Sequence, residues 1–156
     1  KWNNTSASLQ QLTQERAALG LAFETIISGS TISVKTKVKF DVSTSIPLKL
    51  IVMLVEDGLL YNQANYGHFG LPNPIVNFRH KNTLRAAATD IFGDAIPGAQ
   101  QIKGNTWEKQ LSFNAATYNT ANCYIIATVI YDINNQNRKG ALNTQIVAAG
   151  QNKDFD

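Results

Sequence analysis

The sequence predicts an all-β domain: an immunoglobulin-like antiparallel β-sandwich of about seven strands with a long loop insertion. Short runs of alternating apolar and polar residues, turn signals between these runs, and the lack of a long amphipathic helix predict this class. With 156 residues, the chain has the size of one domain and can bury a sizeable core. A closed barrel is the alternative, and the Cys–Trp–Cys pattern of antibody domains is absent.

The first three strands are the clearest. Every second position over 19–27 and again over 32–42 is apolar except for Thr25 and Thr36, as expected of strands with one buried face. The run 48–55 is apolar at almost every position, which predicts a central strand covered on both sides. A buried helix is the alternative for this run, but the run is short and rich in β-branched residues.

The rest of the chain mixes loops and further strands, as Gly- and Pro-rich stretches and renewed alternation indicate. The predicted elements are a loop at 59–76, a strand at 77–89 that runs into a helical turn at 85–88, a loop at 93–104, strands at 107–113, 122–133 and 141–149, and a hairpin loop at 134–137. The domain organisation that follows is a linker or lead-in segment at 1–17, the sandwich at 18–150 and a tail at 151–156.

Charge and composition narrow the possible partners. Only 16% of the residues are charged, which is typical of exported and cell-surface β domains, and the formal net charge is +3. Lys35, Lys37 and Lys39 share one strand face, which is expected to be solvated; binding of an anionic polymer or lipid head group is the alternative. Because no aromatic residues interleave with these lysines, we expect no nucleic-acid partner.

The single cysteine and the hydropathy of the sequence argue against a disulfide-stapled protein and against a membrane-spanning helix. The single cysteine, Cys123, lies in an apolar run and is expected to be a small buried hydrophobe. No apolar stretch reaches the length of about 18 residues that a membrane-spanning helix needs. The chain starts at Lys1 without a signal peptide, as a mature, trimmed or excised fragment would.

The ionisable chemistry is concentrated in residues 56–85, which contain both histidines. If the third and fourth strands are neighbours, Glu56, His80 and Arg85 can form a structural network that ties the long loop to the sandwich. The alternative is a metal-dependent or acid/base enzyme site at Glu56, Asp57 and His80. The structural network is the favoured interpretation, because charged networks more often hold structure than perform catalysis.

The long loop is the candidate binding surface. Its aromatic and polar side chains offer stacking faces and hydrogen bonds for a sugar or a peptide. The residues predicted to bind are Tyr61, Gln63, Tyr66, His68 and Phe69. We predict no catalytic residue, no metal site and no cofactor.

Three stretches carry a resemblance to a known family. The run 48–59, Gln63 and the segment 78–86 resemble the C-terminal domain of the outer-membrane-protein-28-related family of Gram-negative bacteria, with its order of Glu–Asp, then Gln, then His-x-x-x-x-Arg. The closing strands at 124–132 and 141–147 are also similar, so the resemblance covers residues 18–149.

The resemblance implies an exported protein of the outer membrane, cell surface or periplasm, attached to the membrane only through a lipid anchor that lies outside this chain. Members often carry an N-terminal thioredoxin-like domain. Redox chemistry is not carried over, because this chain has no Cys-x-x-Cys. Arg79 and Lys81 flank His80 here, whereas the family prefers Asn beside its histidine.

The functional expectation is a non-enzymatic β-sandwich module of an exported envelope protein. It would mediate contacts with a protein, a glycan or another domain of the same full-length protein. A purely architectural role, in which the module supports a missing N-terminal domain, is the second possibility. An enzyme at Glu56, Asp57 and His80 is the third.

Overall fold

The computed structural model describes residues 17–67, 70–132 and 140–155. Within these ranges the chain forms ten strands joined by turns and two single-turn 3-10 helices. The strands are β1 (Leu19–Ser28), β2 (Thr31–Phe40), β3 (Leu48–Glu56), β4 (Leu59–Gln63), β5 (Ile75–His80), β6 (Thr83–Ala87), β7 (Asp94–Ile96), β8 (Thr106–Asn114), β9 (Cys123–Tyr131) and β10 (Ala141–Ala148). The predicted all-β, sandwich-like class is confirmed, with ten strands in place of about seven. The immunoglobulin-like type stays a prediction.

The strands form two antiparallel sheets and a separate two-stranded ribbon. Sheet A has the order β1-β2-β8, and its register places Leu21 opposite Val38 and Val34 opposite Leu111. Sheet B has the order β10-β9-β3-β6, and β7 pairs with the first residues of β3. β3 is therefore a central strand, as its apolar run predicts.

The core lies between the two sheets and is built from alternate residues of each strand. Its largest fully buried side chains are Leu19, Leu21, Phe23, Ile32, Val34, Val38, Phe40, Leu48, Leu50, Val52, Leu54 and Ile125. Burial of each such side chain contributes roughly 1.5–3 kcal/mol relative to exposure. This shared core holds the end of β3, from which the candidate site projects, in a fixed place.

Polar side chains join the sheets along both open sides of the sandwich. Gln145 of β10 donates its amide to the carbonyl of Leu21 in β1, with the two atoms 2.6 Å apart. On the other side, Lys109 of β8 forms an ion pair with Asp94 of β7. These contacts satisfy polar groups at the sheet edges and fix one sheet against the other.

The segment predicted as a tail continues sheet A. Phe23 and Lys153 exchange two backbone hydrogen bonds, with N–O distances of 2.8 and 3.0 Å. The hydroxyl of Thr25 donates to the carbonyl of Gln151. Residues 151–155 thus cover the free edge of β1, which would otherwise expose unpaired backbone groups.

The region between β3 and β7 departs from the prediction. The strand predicted at 77–89 is two strands, β5 and β6, separated by Lys81 and by Asn82, whose φ is +49°. The helical turn predicted at 85–88 is wrong, because Ala86 and Ala87 pair with Leu54 and Met53 of β3. Pairing with a central strand outweighs the helix propensity of alanine.

The predicted loops contain short strands as well. The stretch 59–76 includes β4, and the stretch 93–104 includes β7. The hairpin loop predicted at 134–137 lies outside the described residues, as does nearly all of the segment at 1–17. No helix in the described ranges is long and apolar enough to cross a membrane.

The outer face of sheet A carries the three lysines of β2. Glu24 of β1 forms ion pairs with Lys35, at 2.8 Å, and with Lys37. Hydrogen bonds from these ammonium groups lower the pKa of the Glu24 carboxyl to about 2. A shallow groove of about 510 Å³ runs beside this pair, on the far side of sheet A from sheet B. Two of the three lysines thus share one carboxylate partner, Glu24.

Candidate functional site

The candidate site is a ribbon formed by β4 and β5, which extends the β3–β6 hairpin beyond the end of sheet B. β4 follows β3 after Asp57 and Gly58, and β5 precedes β6 by Lys81 and Asn82. The chain thus leaves sheet B at the end of β3, forms the ribbon, and returns to sheet B at the start of β6. The ribbon itself is a separate two-stranded sheet.

The hinge between sandwich and ribbon is held by Asp57. Its side-chain Oδ1 accepts a hydrogen bond from the backbone N–H of Asn82, across the hairpin. Gly58 has a φ of +78° and donates its N–H to the carbonyl of His80 at 2.9 Å. The positive φ favours glycine at this position. A Cβ there would lie 3.3 Å from the exposed Arg79 guanidinium, and a small shift of that flexible side chain would make room for it.

One face of the ribbon is aromatic. Tyr61 and Phe78 are directly opposite in the register, and Leu59 is opposite His80. The rings of Phe78 and His80 meet edge to face at 5.0 Å between centroids, and the ring of Tyr61 is 6.4 Å from that of His80. Tyr61 is 62% exposed and Phe78 is 40% exposed. The face is thus an ordered aromatic cluster open to solvent.

His80 is the inner member of this cluster. Its Nε2 atom is buried and has no hydrogen-bond partner among the described residues. Its carbonyl is bonded to Gly58, so the backbone at His80 is fixed to the hinge. The imidazole serves here as a ring on which Phe78 packs.

Below the ribbon lies a buried charge pair. Oε2 of Glu56, at the end of β3, is 3.4 Å from Nε of Arg85 in β6; the two are close enough for an ion pair, although not aligned as a hydrogen bond. Oε1 of Glu56 accepts the backbone N–H of Asn119 at 2.9 Å. The Glu56 side chain is only 5% exposed, so both of its neighbours compensate for its desolvation.

Arg85 is held from a second side by Tyr118. Its guanidinium lies over the Tyr118 ring, 4.5 Å from the centroid, and the Tyr118 hydroxyl is 3.3 Å from the Arg85 carbonyl. A cation over an aromatic ring is stabilised by the ring quadrupole. Glu56, Arg85 and Tyr118 together connect β3, β6 and the loop after β8, and we call them the base cluster.

Cys123 adjoins this cluster but is not activated by it. The thiol is 1% exposed. Burial, with a smaller contribution from the nearby Glu56 carboxylate, raises its pKa to about 11. A thiol of this kind is a poor nucleophile at neutral pH, in keeping with the small buried hydrophobe that the sequence predicts.

The structure divides the predicted network of Glu56, His80 and Arg85. It brings Glu56 and Arg85 together, while His80 makes no ion pair with either of them in the described structure and packs on the ribbon instead. Asp57 is engaged with Asn82. Across residues 17–67, 70–132 and 140–155, no three His, Cys, Asp or Glu side chains are grouped so that they could hold a metal ion.

The predicted binding residues fall into three groups. Tyr61 belongs to the aromatic face, and Gln63 ends β4, where its amide bonds the next carbonyl. Tyr66 is 82% exposed in the loop that follows. His68 and Phe69 lie outside the described residues.

The loop beyond the ribbon is anchored by a buried asparagine. Asn65 is 8% exposed; its N–H bonds the side chain of Asn73 at 3.1 Å, and its amide bonds the carbonyl of Leu71 at 2.9 Å. These bonds cross the loop from side to side. The exposed Tyr66 therefore projects from a loop with internal support.

The sequence analysis missed Phe78, Tyr118 and Asn119 as parts of the site. Phe78 could have been predicted from the sequence, since a residue two positions before His80 on a strand lies on the same face as His80. Tyr118 and Asn119 carried none, because they are separated from Arg85 and Glu56 by 33 and 63 positions in sequence.

The ribbon also has a distinct charge. The sequence contains no Asp or Glu between Asp57 and Asp90, whereas Arg79 and Lys81 lie on the ribbon and at its hinge, exposed to solvent. The ribbon and its hinge are therefore positively charged, within a chain whose formal net charge is +3.

These features define a class: a sandwich-like, all-β antiparallel domain with a projecting aromatic ribbon. The chain belongs to the outer membrane protein Omp28 family, whose model matches residues 1–153. It is therefore a protein of the bacterial cell envelope, and the resemblance seen in the sequence is confirmed.

One solved structure supports the fold independently. HBP35 of Porphyromonas gingivalis is similar with a TM-score of 0.68 at 14% sequence identity, over 92% of this chain and 45% of that chain. The chain thus spans less than half the length of that structure. None of the curated proteins matches the chain significantly.

Proposed function

We propose that this domain is a non-enzymatic contact module of an exported envelope protein, and that the aromatic face of the ribbon binds a protein partner. One observation carries the proposal: Tyr61 and Phe78 are paired across the ribbon with 62% and 40% of their surfaces exposed. Large aromatic side chains that remain exposed on an ordered surface are typical of protein interfaces.

The support beneath the ribbon favours binding. Asp57 fixes the hinge, and Asn65 fixes the loop. A surface that is ordered before it meets its partner loses less conformational entropy on association. The aromatic rings can then contribute most of their contact energy to affinity.

The charge of the ribbon indicates the chemistry of the partner. Arg79 and Lys81 are exposed, and no acidic residue lies between Asp57 and Asp90. An acidic protein surface would complement this field and would be attracted at long range. The partner is either a separate envelope protein or another domain of the same full-length protein. In the second case, this module would support that domain.

The arrangement of Glu56, Asp57 and His80 supports an enzyme site less well than the ribbon supports a contact surface. Glu56 is occupied by Arg85 and Asn119, and Asp57 by Asn82. His80 packs on Phe78 and makes no ion pair with either carboxylate in the described structure. A general base needs to reach a substrate proton, and these three side chains face different neighbours.

Site-specific photo-crosslinking in the native cell envelope tests the proposal. A photoreactive residue replaces Tyr61 or Phe78, and in the matched control it replaces Gln110, which is exposed on the outer face of sheet A. We expect one discrete adduct from the ribbon positions and not from position 110. With the photoreactive residue at Phe78, Tyr61→Ala should reduce the yield of this adduct by about fivefold or more, as loss of a central aromatic contact does.

The nature of the adduct decides between partners. Mass spectrometry of the digested adduct supports a protein if a peptide of another protein or domain is joined to the ribbon peptide. A ribbon peptide joined to carbohydrate would identify a glycan and overturn the proposal. Equal crosslinking from positions 61 and 110 would also overturn it, since the ribbon would then have no preference as a contact surface.

A further inference from the structure

β8 is an edge strand of sheet A. β2 lies on one side of it, and no described strand lies on the other. The N–H of Ala115 bonds the carbonyl of Ser30 just beyond one end of β8. The N–H of Phe40 bonds the carbonyl of Asn105 just before the other end. The odd-numbered residues of β8 therefore bond β2, and the even-numbered residues direct their N–H and C=O groups to the outer edge. These outward residues are Thr106, Glu108, Gln110, Ser112 and Asn114.

The opposite edge of sheet A is closed by hydrogen bonds. In β1, the carbonyl of Leu21 accepts a hydrogen bond from the side chain of Gln145 at 2.6 Å. Phe23 exchanges two backbone hydrogen bonds with Lys153. The backbone groups that β1 directs away from β2 thus have partners in β10 and in the segment 151–155.

The edges of sheet B are closed or short. In β10, the carbonyl of Ile146 accepts a hydrogen bond from the Lys153 ammonium at 3.1 Å. The carbonyl of Ala148 accepts one from the N–H of Gln151, also at 3.1 Å. At the other edge, β6 and β7 have only five and three residues. Short edges offer little backbone for pairing with another strand.

β8 differs from all of these edges. It has nine residues, contains no proline and pairs with β2 without a bulge. Within the part of the chain that the structure describes, no hydrogen bond reaches the outward backbone groups of β8. The side chains of the five outward residues are all exposed. A long, regular and open edge of this kind is a template for a further strand.

The outer edge of β8 is complementary to itself. The five outward residues are symmetric about Gln110, the midpoint of the strand from Thr106 to Asn114. A twofold axis at Gln110 therefore aligns all nine residues antiparallel with those of a second copy, and it places each free N–H opposite a free C=O. The five hydrogen-bonded pairs, with two bonds each, give about ten backbone hydrogen bonds.

The side chains suit this register. It places Glu108 opposite Ser112 of the other copy and Lys109 opposite Leu111, so that no like charges are directly opposite. An axis at Glu108 or Lys109 would instead pair a charge with its own copy. Trp107 and Leu111 are half-buried beside the core and would gain apolar contacts across the seam. Charge and hydrophobic contacts therefore favour the same register as the backbone.

Lys109 is the side chain that opposes edge pairing in general. It alternates with the outward residues and faces sheet B, and an inward-pointing lysine is a common protection of edge strands. In the twofold register, the two copies of Lys109 are diagonal neighbours. However, Lys109 forms an ion pair with Asp94 of its own chain, with Nζ and Oδ2 2.5 Å apart. The charge is thus compensated before a second copy arrives.

We propose that β8 pairs with β8 of a second copy of this chain about a twofold axis at Gln110. The two three-stranded sheets A then form one continuous six-stranded sheet in the order β1-β2-β8-β8-β2-β1. The dimer carries two ribbons. This inference is independent of the function proposed for the ribbon.

Sedimentation of the full chain over a range of concentrations tests the proposal. We expect a reversible dimer in the wild type. Gln110→Pro removes an N–H that does not bond β2, so it removes two hydrogen bonds from the seam and leaves the sheet A ladder complete. It should raise the dissociation constant of the dimer by about tenfold or more. Gln110→Ala, the matched control, keeps the N–H and should change the constant little.

Two substitutions of the exposed Ser112 test the register. Ser112→Glu places a carboxylate opposite Glu108 of the other copy, and Ser112→Lys places an ammonium group there. Because each contact occurs twice in a symmetric dimer, we expect the dissociation constant to rise by about threefold or more with Glu and to fall by a similar factor with Lys. If the thermal midpoint shows that Gln110→Pro unfolds the domain, the Ser112 variants decide alone.

A wild type that is monomeric at all concentrations would overturn the proposal. So would a dimer that a folded Gln110→Pro variant leaves intact, equal weakening by Gln110→Pro and Gln110→Ala, or Ser112 variants that do not act in opposite directions. In the crosslinking experiment on the ribbon, the seam gives position 110 an adduct of twice the mass of the chain. That self-adduct is distinguished by its peptides from an adduct with another protein.

Discussion

The Arg85 guanidinium lies between the Glu56 carboxylate, 3.4 Å away, and the ring of Tyr118, 4.5 Å away. It thereby connects the end of β3 to the loop that follows β8. The ribbon starts at Leu59, three residues beyond Glu56. The Glu56–Arg85 pair thus supports the base of the proposed contact surface. Its loss should lower the free energy of unfolding and loosen the ribbon.

Removal of Glu56 should destabilise the domain. Glu56→Ala leaves the Arg85 charge partly buried without its partner and the N–H of Asn119 without its acceptor. We expect the free energy of unfolding to fall by about 2–4 kcal/mol, near the lower part of the usual range because Arg85 is a quarter exposed. Urea denaturation followed by circular dichroism measures the change.

Glu108→Ala is the control for this experiment, because Glu108 is exposed and makes only a long ion pair of 3.8 Å to Lys37. It should change the free energy of unfolding by less than about 0.5 kcal/mol. Equal denaturation midpoints for Glu56→Ala and the wild type would show that the base cluster does not brace the fold.

Loss of Asp57 should loosen the ribbon without unfolding the sandwich. Asp57→Ala removes the acceptor for the Asn82 N–H at the hinge, whereas the core between the sheets is unchanged. We expect amide exchange in β4 and β5 to rise by about tenfold, which corresponds to about 1.4 kcal/mol of local opening, while exchange in β2 and β9 stays as in the wild type. Hydrogen–deuterium exchange with mass spectrometry resolves the two regions.

Asp90→Ala is the matched control for Asp57→Ala, because the Asp90 side chain also accepts a hydrogen bond from a backbone N–H, that of Phe92, in a loop away from the ribbon. This control should leave exchange in β4 and β5 unchanged. Faster exchange over the whole chain in Asp57→Ala would contradict the assignment of Asp57 as a local hinge residue.

The ion pairs on sheet A should make stability depend on acid pH. Hydrogen bonds from Lys35 and Lys37 lower the pKa of Glu24 from 4.5 to about 2 in the folded chain. The contribution of this carboxylate is therefore fully present above its unfolded pKa, and it is lost as pH falls through about 2. Thermal midpoints of the wild type and Glu24→Gln should differ at neutral pH and converge in acid.

Salt provides the internal check on this effect, because exposed ion pairs are screened. The difference between wild type and Glu24→Gln at neutral pH should shrink at high ionic strength. A difference that is constant from neutral to strongly acidic pH would show that Glu24 does not act through its charge.

Cys123 should be chemically silent in the folded protein. Burial raises its pKa to about 11, and only 1% of its surface is accessible. We expect labelling by an alkylating reagent at about neutral pH to proceed only through unfolding, so that its rate rises with urea. Rapid stoichiometric labelling of the native chain would contradict the buried environment. Glu56→Ala should accelerate labelling, chiefly because it destabilises the fold.

The parts of the fold that the sequence predicts are those set by local pattern. Alternation placed β1 and β2, and the apolar run placed β3 at the centre of a sheet. Of the predicted network of Glu56, His80 and Arg85, the structure contains the Glu56–Arg85 pair.

The parts that the sequence does not predict depend on contacts between distant residues. The alanines at 86–88 favour a helix by themselves, and only pairing with Leu54 and Met53 makes a strand of Ala86 and Ala87. Arg85 meets Tyr118 because β6 and the loop after β8 are brought together by β3 and β9 between them. His80 leaves the predicted network because the break at Asn82 places it on the ribbon.

Side-chain footprinting with hydroxyl radicals tests the central claim most directly. Oxidation of Tyr61 and Phe78 is compared between the purified chain and the protein in intact cell envelopes, with Phe92, 72% exposed in a different loop, as the reference. We predict that Tyr61 and Phe78 are oxidised readily in the purified chain and are several-fold protected in the envelope, as expected for side chains at the centre of an interface, while Phe92 changes little. Equal oxidation of Tyr61 and Phe78 in both preparations would contradict the claim that the ribbon is a contact surface.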